Sequence, residues 1–287
     1  MQNFSIHTHT IGFDGNNSVS EMLEAAEFAG LKKLGISNHF IVHPVIKDTK
    51  MYDAALQRGY QNIYSATFGE AIEKFKIHYD EIDEVCAKTG IKIYKGMEVD
   101  FFAYDGWRDG FERALEILKP DYLIGSAHFV ATRDTLYNSH DLKNADKAQQ
   151  NMLLHKYYQN VRAAAGSGLF DFLAHLDLMK KVGLGLEDKW EDVERQTIEA
   201  IRAANAKVEI NTSGFKLKGG EPYPSRRILK LVAEYGVPVL LSDDAHDARR
   251  LGDKFDEAYE IAKECGIKQF YDPFGFAQPG VYIQNQY

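Results

Sequence analysis

Residues 33–39 read KLGISNH, a short apolar run that ends in a histidine. The same pattern recurs at residues 4–9, FSIHTH, and at residues 122–128, YLIGSAH. Short runs of this composition are typical of buried strands, and each is followed by a longer amphipathic stretch. Seven strands, each followed by helical sequence, indicate parallel strands joined by crossover helices.

This order of elements predicts an α/β fold, most consistent with a distorted (β/α)7 TIM-like barrel; a doubly wound open sheet is the alternative. No linker rich in proline, glycine or serine divides the sequence, so we expect one domain over residues 1–287. Residues 41–68 and 130–147 are predicted to be long loop insertions. Loops of that length are often lids or binding loops, although a structural excursion over one end of the barrel fits equally well.

The composition excludes several classes of protein. A formal net charge of −8 over 287 residues argues against a non-specific nucleic-acid binder, which needs a basic surface. No apolar run is long enough to cross a membrane, and the first residues do not resemble a secretion signal. Cys86 and Cys265 form no C-x-x-C pair, as expected of free thiols in a reducing compartment. These features predict a soluble, cytoplasmic protein, and they do not argue against a small phosphorylated substrate.

Polar residues collect at the ends of the predicted strands. In β/α barrels the chemistry lies at the C-terminal ends of the strands, so a site is predicted there. Six histidines and two acids occupy such positions: His7, His9, His39, Glu98, His128, His175, Asp244 and His246. Residues two apart on a strand face the same way, so H-x-H and D-x-H each direct two side chains inward.

Imidazole and carboxylate donors without cysteine are typical of Zn²⁺, Mn²⁺ or iron sites rather than Ca²⁺ or Fe–S sites. A single histidine is more often structural, but six at equivalent positions indicate a common purpose. Eight donors exceed the needs of one four-coordinate ion. The pattern therefore predicts a cluster of two or three ions.

Other polar residues near these positions have simpler explanations. We expect Asp243 to face away from the site, because the D-x-H spacing favours Asp244 as the ligand. Asp177 and Asn211 lie near strand ends, where they could orient ligands or form local turns. Solvated or helix-face roles are expected for the four remaining histidines: His43, His78, His140 and His155.

Together these motifs resemble the PHP (polymerase and histidinol phosphatase) superfamily. The resemblance rests on H-x-H at 7–9, FDG at 13–15, SNH at 37–39, GMEVD at 96–100, GSAH at 125–128, AHLDL at 174–178 and DAH at 244–246. Within the superfamily, HTHTIGFDG, YLIGSAHFV and EINTSGFKLKGGEPYPS are similar to the monofunctional histidinol-phosphate phosphatases. The match extends in order over nearly the whole chain.

The resemblance implies a trinuclear metal centre of three divalent ions, Zn, Mn or Fe. It implies that the first ion is held by His7, His9, Glu98 and Asp244, the second by Asp14, His39 and His246, and the third by Glu98, His128 and His175. Asp14 becomes a ligand only through this resemblance, because an Asp-Gly pair by itself indicates a turn.

The resemblance also implies the reaction, hydrolysis of L-histidinol phosphate to L-histidinol and phosphate in histidine biosynthesis. Metal-activated hydroxide would attack phosphorus, with Glu98, Asp244 and His246 at the catalytic cluster. Lys216 and Arg133 are the candidate contacts to the phosphate. The subfamily usually has an arginine near residue 216, and lysine offers a point charge instead of a bidentate fork.

Three alternatives stay open. Another small phosphate ester or a nucleotide could be the substrate of the same chemistry. Amidohydrolases also begin with H-x-H on a barrel, but they typically bridge their metals with a carboxylated lysine, where this chain has Glu98. A barrel that binds metal for regulation is the non-enzyme alternative, and a damaged ligand set would be its signature.

Overall fold

The structure is a computed structural model that describes residues 2–86, 90–274 and 282–283. These residues form two compact α/β units. The first unit comprises residues 1–124, 131–136 and 243–253, and the second comprises residues 125–130, 137–242 and 254–287. The assignment of residues 1–287 to one domain stays a prediction. Among the described helices, none has the length and apolar character needed to span a membrane.

The first half of the chain alternates strands and helices as predicted. In chain order the elements are β1 (Phe4–Ser5), α1 (Val19–Phe28), β2 (Lys33–Ile36), β3 (His39–Val42), α2 (Lys50–Gln57), β4 (Tyr64–Ser65), α3 (Phe68–Cys86), β5 (Lys92–Asp100), α4 (Trp107–Leu118), β6 (Tyr122–Ser126), β7 (Val130–Thr132) and β8 (Thr135–Tyr137). β2 pairs in parallel with β1 and with the first half of β5. β3 pairs in parallel with β4 and with the second half of β5.

The second half of the chain continues the same alternation. Its elements are α5 (Ser139–Asn144), α6 (Lys147–Gly166), β9 (Phe172–Leu173), α7 (Glu191–Ala203), β10 (Val208–Asn211), α8 (Arg226–Glu234), β11 (Val239–Ser242), α9 (Phe255–Glu264), β12 (Phe270–Tyr271) and β13 (Tyr282–Ile283). Strands β9 to β13 pair in this order, and each pair is parallel. Parallel neighbours require the crossover helices that the sequence pattern predicts.

Helix boundaries follow the capping residues of the sequence. Ser18 accepts a hydrogen bond from the amide of Glu21, whose carboxylate accepts one from the amide of Ser18, and this capping box begins α1. Gly30 follows the helix with a φ of 73°, a conformation that glycine adopts without strain.

The two predicted loop insertions contain regular structure. Residues 41–68 include α2 and β4, and residues 130–147 include the β7–β8 hairpin and α5. The side chain of Thr49 accepts the amide of Tyr52 and begins α2, while Asn138 does the same for α5. These segments therefore contain regular structure that begins at capping residues, and their role as insertions stays a prediction.

The ring of Tyr122, in β6, is buried in the first unit against Gly35 and Gly96. A Cβ atom at Gly35 would lie 2.2 Å from its hydroxyl oxygen, and one at Gly96 would lie 2.2 Å from its Cζ atom. The hydroxyl donates a 2.6 Å hydrogen bond to the carbonyl of Ile6. The absence of side chains at two strand positions thus makes room for one ring, which holds the backbone just before His7.

We expect Gly96→Ala to destabilise the protein by about 1–3 kcal/mol, because the ring of Tyr122 cannot move without losing its bond to Ile6. Urea unfolding measures the change. Gly69→Ala is the matched control, since its Cβ would lie 4.0 Å from the nearest side-chain atom. Equal stability of the two variants would contradict this account of the core.

Candidate metal centre

The H-x-H and D-x-H segments lie side by side in the first unit. The amide of His9 donates to the carbonyl of Ala245 at 2.9 Å, and the amide of Ala245 donates to the carbonyl of His7 at 3.0 Å. This parallel bridge centres on Thr8 and Ala245. It places the residues on either side of Thr8 next to those on either side of Ala245, which are the predicted ligands.

The register of β3 on β5 places two further candidates together, since His39 is the direct partner of Glu98. The amide of Glu98 donates to the carbonyls of Ser37 and Asn38, both at 3.1 Å. Both side chains point into the same space, because His39 Nδ1 lies 2.8 Å from Glu98 Oε2.

One group of donors surrounds Glu98 and Asp244. His7 Nε2 lies 3.3 Å from Glu98 Oε2 and 3.7 Å from Asp244 Oδ1. His9 Nε2 lies 3.5 Å and 3.2 Å from the same two oxygen atoms. These are the four residues that the resemblance assigns to the first ion, and the structure brings them together.

A second group surrounds Asp14. Its Oδ2 atom lies 3.2 Å from His39 Nε2 and 3.0 Å from His246 Nε2, and its Oδ1 atom lies 3.6 Å from His9 Nδ1. The rings of His9 and His246 stack with centroids 4.2 Å apart. Ligand atoms of these four residues lie within 4.8 Å of one another, so His9 borders both groups.

Gly15 explains how Asp14 reaches this position. A Cβ atom at residue 15 would lie 2.3 Å from the carbonyl oxygen of His9, so only glycine lets the loop fold against that segment. The next amide, that of Asn16, donates to the carbonyl of His246 at 2.8 Å. The FDG motif therefore couples a carboxylate to the close approach that positions it.

Asp244 and Asp243 point in different directions. Asp244 has a left-handed backbone conformation, with a φ of 48°, which is uncommon outside glycine and often marks functional sites. Asp243 accepts hydrogen bonds from Ser5 Oγ at 2.7 Å and from the amide of Gly252 at 2.7 Å. The acid nearest the histidines is thus the one that the D-x-H spacing favours.

Burial and mutual charge shift the pKa values of the cluster. Burial, together with nearby His246 and His39, lowers the pKa of His9 to about 4. Burial opposes a charge on His246, but the carboxylates of Asp14 and Asp244 raise its pKa to about 9. Burial also raises the pKa of Asp14, yet His39 and His246 hold it well below its usual value. Protons on imidazoles therefore balance carboxylates at this site.

The donor set fits divalent metal ions. Three carboxylates and four imidazoles are packed into one site of the first unit. Both ring nitrogens of His9 and the Oδ1 atom of Asp14 are buried without a hydrogen-bond partner among the described residues. Buried polar atoms of native proteins normally have partners, so these atoms fit a bound cation. Nitrogen and oxygen donors of this kind suit Zn²⁺, Mn²⁺ or iron.

The second unit holds the other two predicted ligands. The rings of His128 and His175 meet edge to face with centroids 4.9 Å apart. Glu209, which we did not single out from the sequence, is fully buried there and accepts bonds from the His175 amide at 2.9 Å and from Asn211 Nδ2 at 2.8 Å. Its position within a short apolar strand does not predict that Glu209 holds the backbone of His175.

Asp177, which the sequence places near a strand end, accepts a hydrogen bond from the amide of Ser225 at 2.9 Å.

The two candidate phosphate contacts are exposed. Lys216 ends a short 3-10 helix, Thr212–Lys216, and Arg133 lies in the turn between β7 and β8. Their roles stay predictions.

Two of the other histidines, His43 and His78, are buried. His43 is fully buried, its Nε2 atom lies 2.8 Å from the carbonyl oxygen of Thr132, and its ring contacts Phe102 and Tyr104 edge-on. His78 is buried beneath the metal centre's first loop, where its ring contacts Phe13. The prediction of a solvated or helix-face role is wrong for His43, whereas His78 lies on the buried face of α3, a helix-face position. His140 and His155 are exposed, as expected.

Comparison with known proteins gives the family context. The family model described as "PHP domain" matches residues 4–213, which leaves Asp244 and His246 beyond the matched region. A protein of Deinococcus radiodurans named "Probable histidinol-phosphatase" is 28% identical over 205 residues, which span 71% of this chain and 77% of that protein. A protein of Schizosaccharomyces pombe with the same name is 31% identical over 103 residues, a third of each chain.

A solved structure shows the same fold. It is histidinol phosphate phosphatase from Lactococcus lactis, complexed with zinc, L-histidinol and phosphate. The TM-score is 0.66 at 15% identity, and the match covers 93% of this chain and 94% of that one. The predicted fold class, a TIM-like α/β architecture, is confirmed.

We expect metal binding at pH 7.5 to release protons. The pKa of His246 is raised to about 9, so its imidazole is protonated at this pH and must lose that proton to become a ligand. Calorimetry of Zn²⁺ binding in two buffers of different ionisation enthalpy measures the number released. In His246→Gln that number should fall by about one. If His246→Gln releases as many protons as the wild-type protein, the ion does not displace a proton from His246.

Proposed function

Because the chain belongs to the PHP domain family, we propose that it is a metal-dependent phosphomonoesterase that hydrolyses L-histidinol phosphate to L-histidinol and phosphate. The single observation that carries the proposal is the packing of four imidazoles and three carboxylates at the joined H-x-H and D-x-H segments. No position of this donor set is damaged, which argues against a degenerate regulatory barrel. The names of the two curated relatives support the choice of substrate.

We propose that the cofactors are divalent ions. His7, His9, Glu98 and Asp244 would hold one, and Asp14, His39 and His246 would hold a second next to it. His128 and His175 of the second unit would contribute to a third. When bound, such ions polarise a water molecule and neutralise charge on the phosphate oxygens. Zinc in the Lactococcus lactis structure supports the class of ion, and Mn²⁺ and iron remain compatible with these donors.

Differences in burial indicate which side of the site meets the substrate. The side chains of His7 and His9 are fully buried, whereas that of His246 is 33% exposed and that of Asp14 is 19% exposed. The buried side excludes water and holds its donors in fixed positions. We infer that the phosphate approaches from the side of His246 and Asp14, whose side chains are partly exposed.

The proposed partner is therefore a small phosphorylated molecule. The net charge of −8 argues against a nucleic-acid partner, which needs a basic surface, and a cytoplasmic location would suit a biosynthetic enzyme. Lys216 and Arg133 are proposed to contact the phosphate, and both are exposed enough to do so. Lysine can supply charge at residue 216 without the geometry of a guanidinium.

Turnover tests the proposal directly. Protein loaded with Zn²⁺ or Mn²⁺ should release phosphate from L-histidinol phosphate faster than from nucleotides or other monoesters. His9→Ala and Asp244→Ala should each lower kcat/KM by more than about a hundredfold, because even substitutions behind a ligand cost roughly 10–100-fold. His155→Ala, an exposed histidine on α6, is the control. Faster turnover of another ester would overturn L-histidinol phosphate as the substrate, while hydrolysis of phosphate monoesters would still be the reaction.

The role of Lys216 has its own test. We expect Lys216→Ala to raise KM for the phosphate ester up to about fivefold, the size of an exposed charge pair, with little change in kcat. Lys218→Ala removes the same charge two residues away and should leave KM unchanged. Steady-state kinetics of both variants, with Lys216→Arg as a conservative replacement, decides the matter. Equal increases of KM in Lys216→Ala and Lys218→Ala would show that Lys216 contributes only general positive charge and makes no specific contact with the phosphate.

A further inference from the structure

A fully buried amide lies at the junction of three ligand-bearing segments. Asn38 directly precedes the candidate ligand His39. The main-chain carbonyl of Asn38 accepts a hydrogen bond from the amide of Glu98 at 3.1 Å. Its side chain bonds to Thr10, the residue that follows His9, through both of its polar atoms. Asn38 therefore connects the backbone beside His9, the backbone beside His39 and the backbone of Glu98.

The orientation of this amide is fixed by the main chain. The amide of Thr10 can only donate, and it lies 2.8 Å from Asn38 Oδ1, which must therefore be the oxygen. Nδ2 then faces Thr10 Oγ1 at 2.8 Å and His78 Nε2 at 2.8 Å. Both amide hydrogens are used, and the second requires His78 Nε2 to accept. His78 must carry its proton on Nδ1, which lies 3.6 Å from Glu81 Oε2.

His78 is itself held in place by the helix α3 and by aromatic neighbours. It is 4% exposed, and its ring meets Phe13 and Phe75 at steep angles with centroids 5.3 Å and 6.3 Å apart. Phe13 belongs to the FDG motif that carries Asp14. The imidazole is thus a rigid, buried acceptor for the amide of Asn38.

We infer that His78 is a positioning residue of the metal centre, which acts through Asn38 to hold the His9, His39 and Glu98 segments at their separation. Its acceptor nitrogen fixes the amide of Asn38, and the amide fixes the loop after β1 against the loop before β3. The inference rests on the proposed function only in requiring that these donors bind metal. Partners behind ligands commonly set metal affinity in this way.

Metal affinity, measured by competition with a chromophoric chelator without substrate, tests this inference. His78→Leu should weaken Zn²⁺ binding about tenfold, because the amide loses its acceptor. His78→Gln should restore most of the affinity, since its carbonyl oxygen can accept the same hydrogen bond. Tyr79→Phe is the matched control on the same helix, because it removes one buried bond, to the carbonyl of Gly96, without touching Asn38.

A double-mutant cycle separates positioning from a general loss of stability. If His78 acts through Asn38, His78→Leu should have little further effect on affinity in an Asn38→Ala background. Independent, additive losses would overturn the inference, as would a loss in His78→Gln or Tyr79→Phe equal to that in His78→Leu. In ¹⁵N NMR spectra of the wild-type protein, His78 should be the Nδ1-protonated tautomer, and the other tautomer would also overturn it.

The outcomes distinguish this inference from the proposed function. A wild-type protein that binds no divalent ion would overturn both. Normal metal binding without turnover of L-histidinol phosphate would overturn the substrate and leave the role of His78 intact. Turnover of L-histidinol phosphate by the wild-type protein, together with an unchanged metal affinity in His78→Leu, would support the substrate and overturn the role of His78.

Discussion

The structure of the first unit depends on one electrostatic constraint, the confinement of three carboxylates and four imidazoles where water is largely excluded. Charges of one sign cannot be buried together without compensation. Protons on His39 and His246 supply positive charge, which is why Asp14 stays ionised although burial opposes its charge. Divalent ions supply more charge in less space, and the same donors serve both states.

Backbone geometry brings these donors together with little freedom left to the side chains. The bridge between Thr8 and Ala245, the pairing of His39 with Glu98, and the contact of Gly15 with the carbonyl of His9 are all main-chain features. A site built on strand register is more precise than one built on mobile loops. Buried partners such as Asn38 then remove the remaining movement.

Much of this organisation could be predicted from the sequence, because local periodicity determines local structure. The H-x-H and D-x-H spacings place pairs of side chains on one face, and the alternation of strand and helix predicts the fold class. His78 could not be predicted, since its partner Asn38 lies 40 residues away and its helical position suggests only a face of α3. The structure inside residues 41–68 was missed although Thr49 is a readable cap. Gly96 and Tyr122 also pair only in three dimensions.

The bridge between Thr8 and Ala245 has a consequence for biosynthesis. Its two halves lie 237 positions apart, so a ribosome must translate all the residues between them before the segments can meet. Until then, the early imidazoles have neither Asp244 nor His246 beside them. Assembly of the complete donor set is accordingly a late step of synthesis, which comes after the translation of β1 to β11.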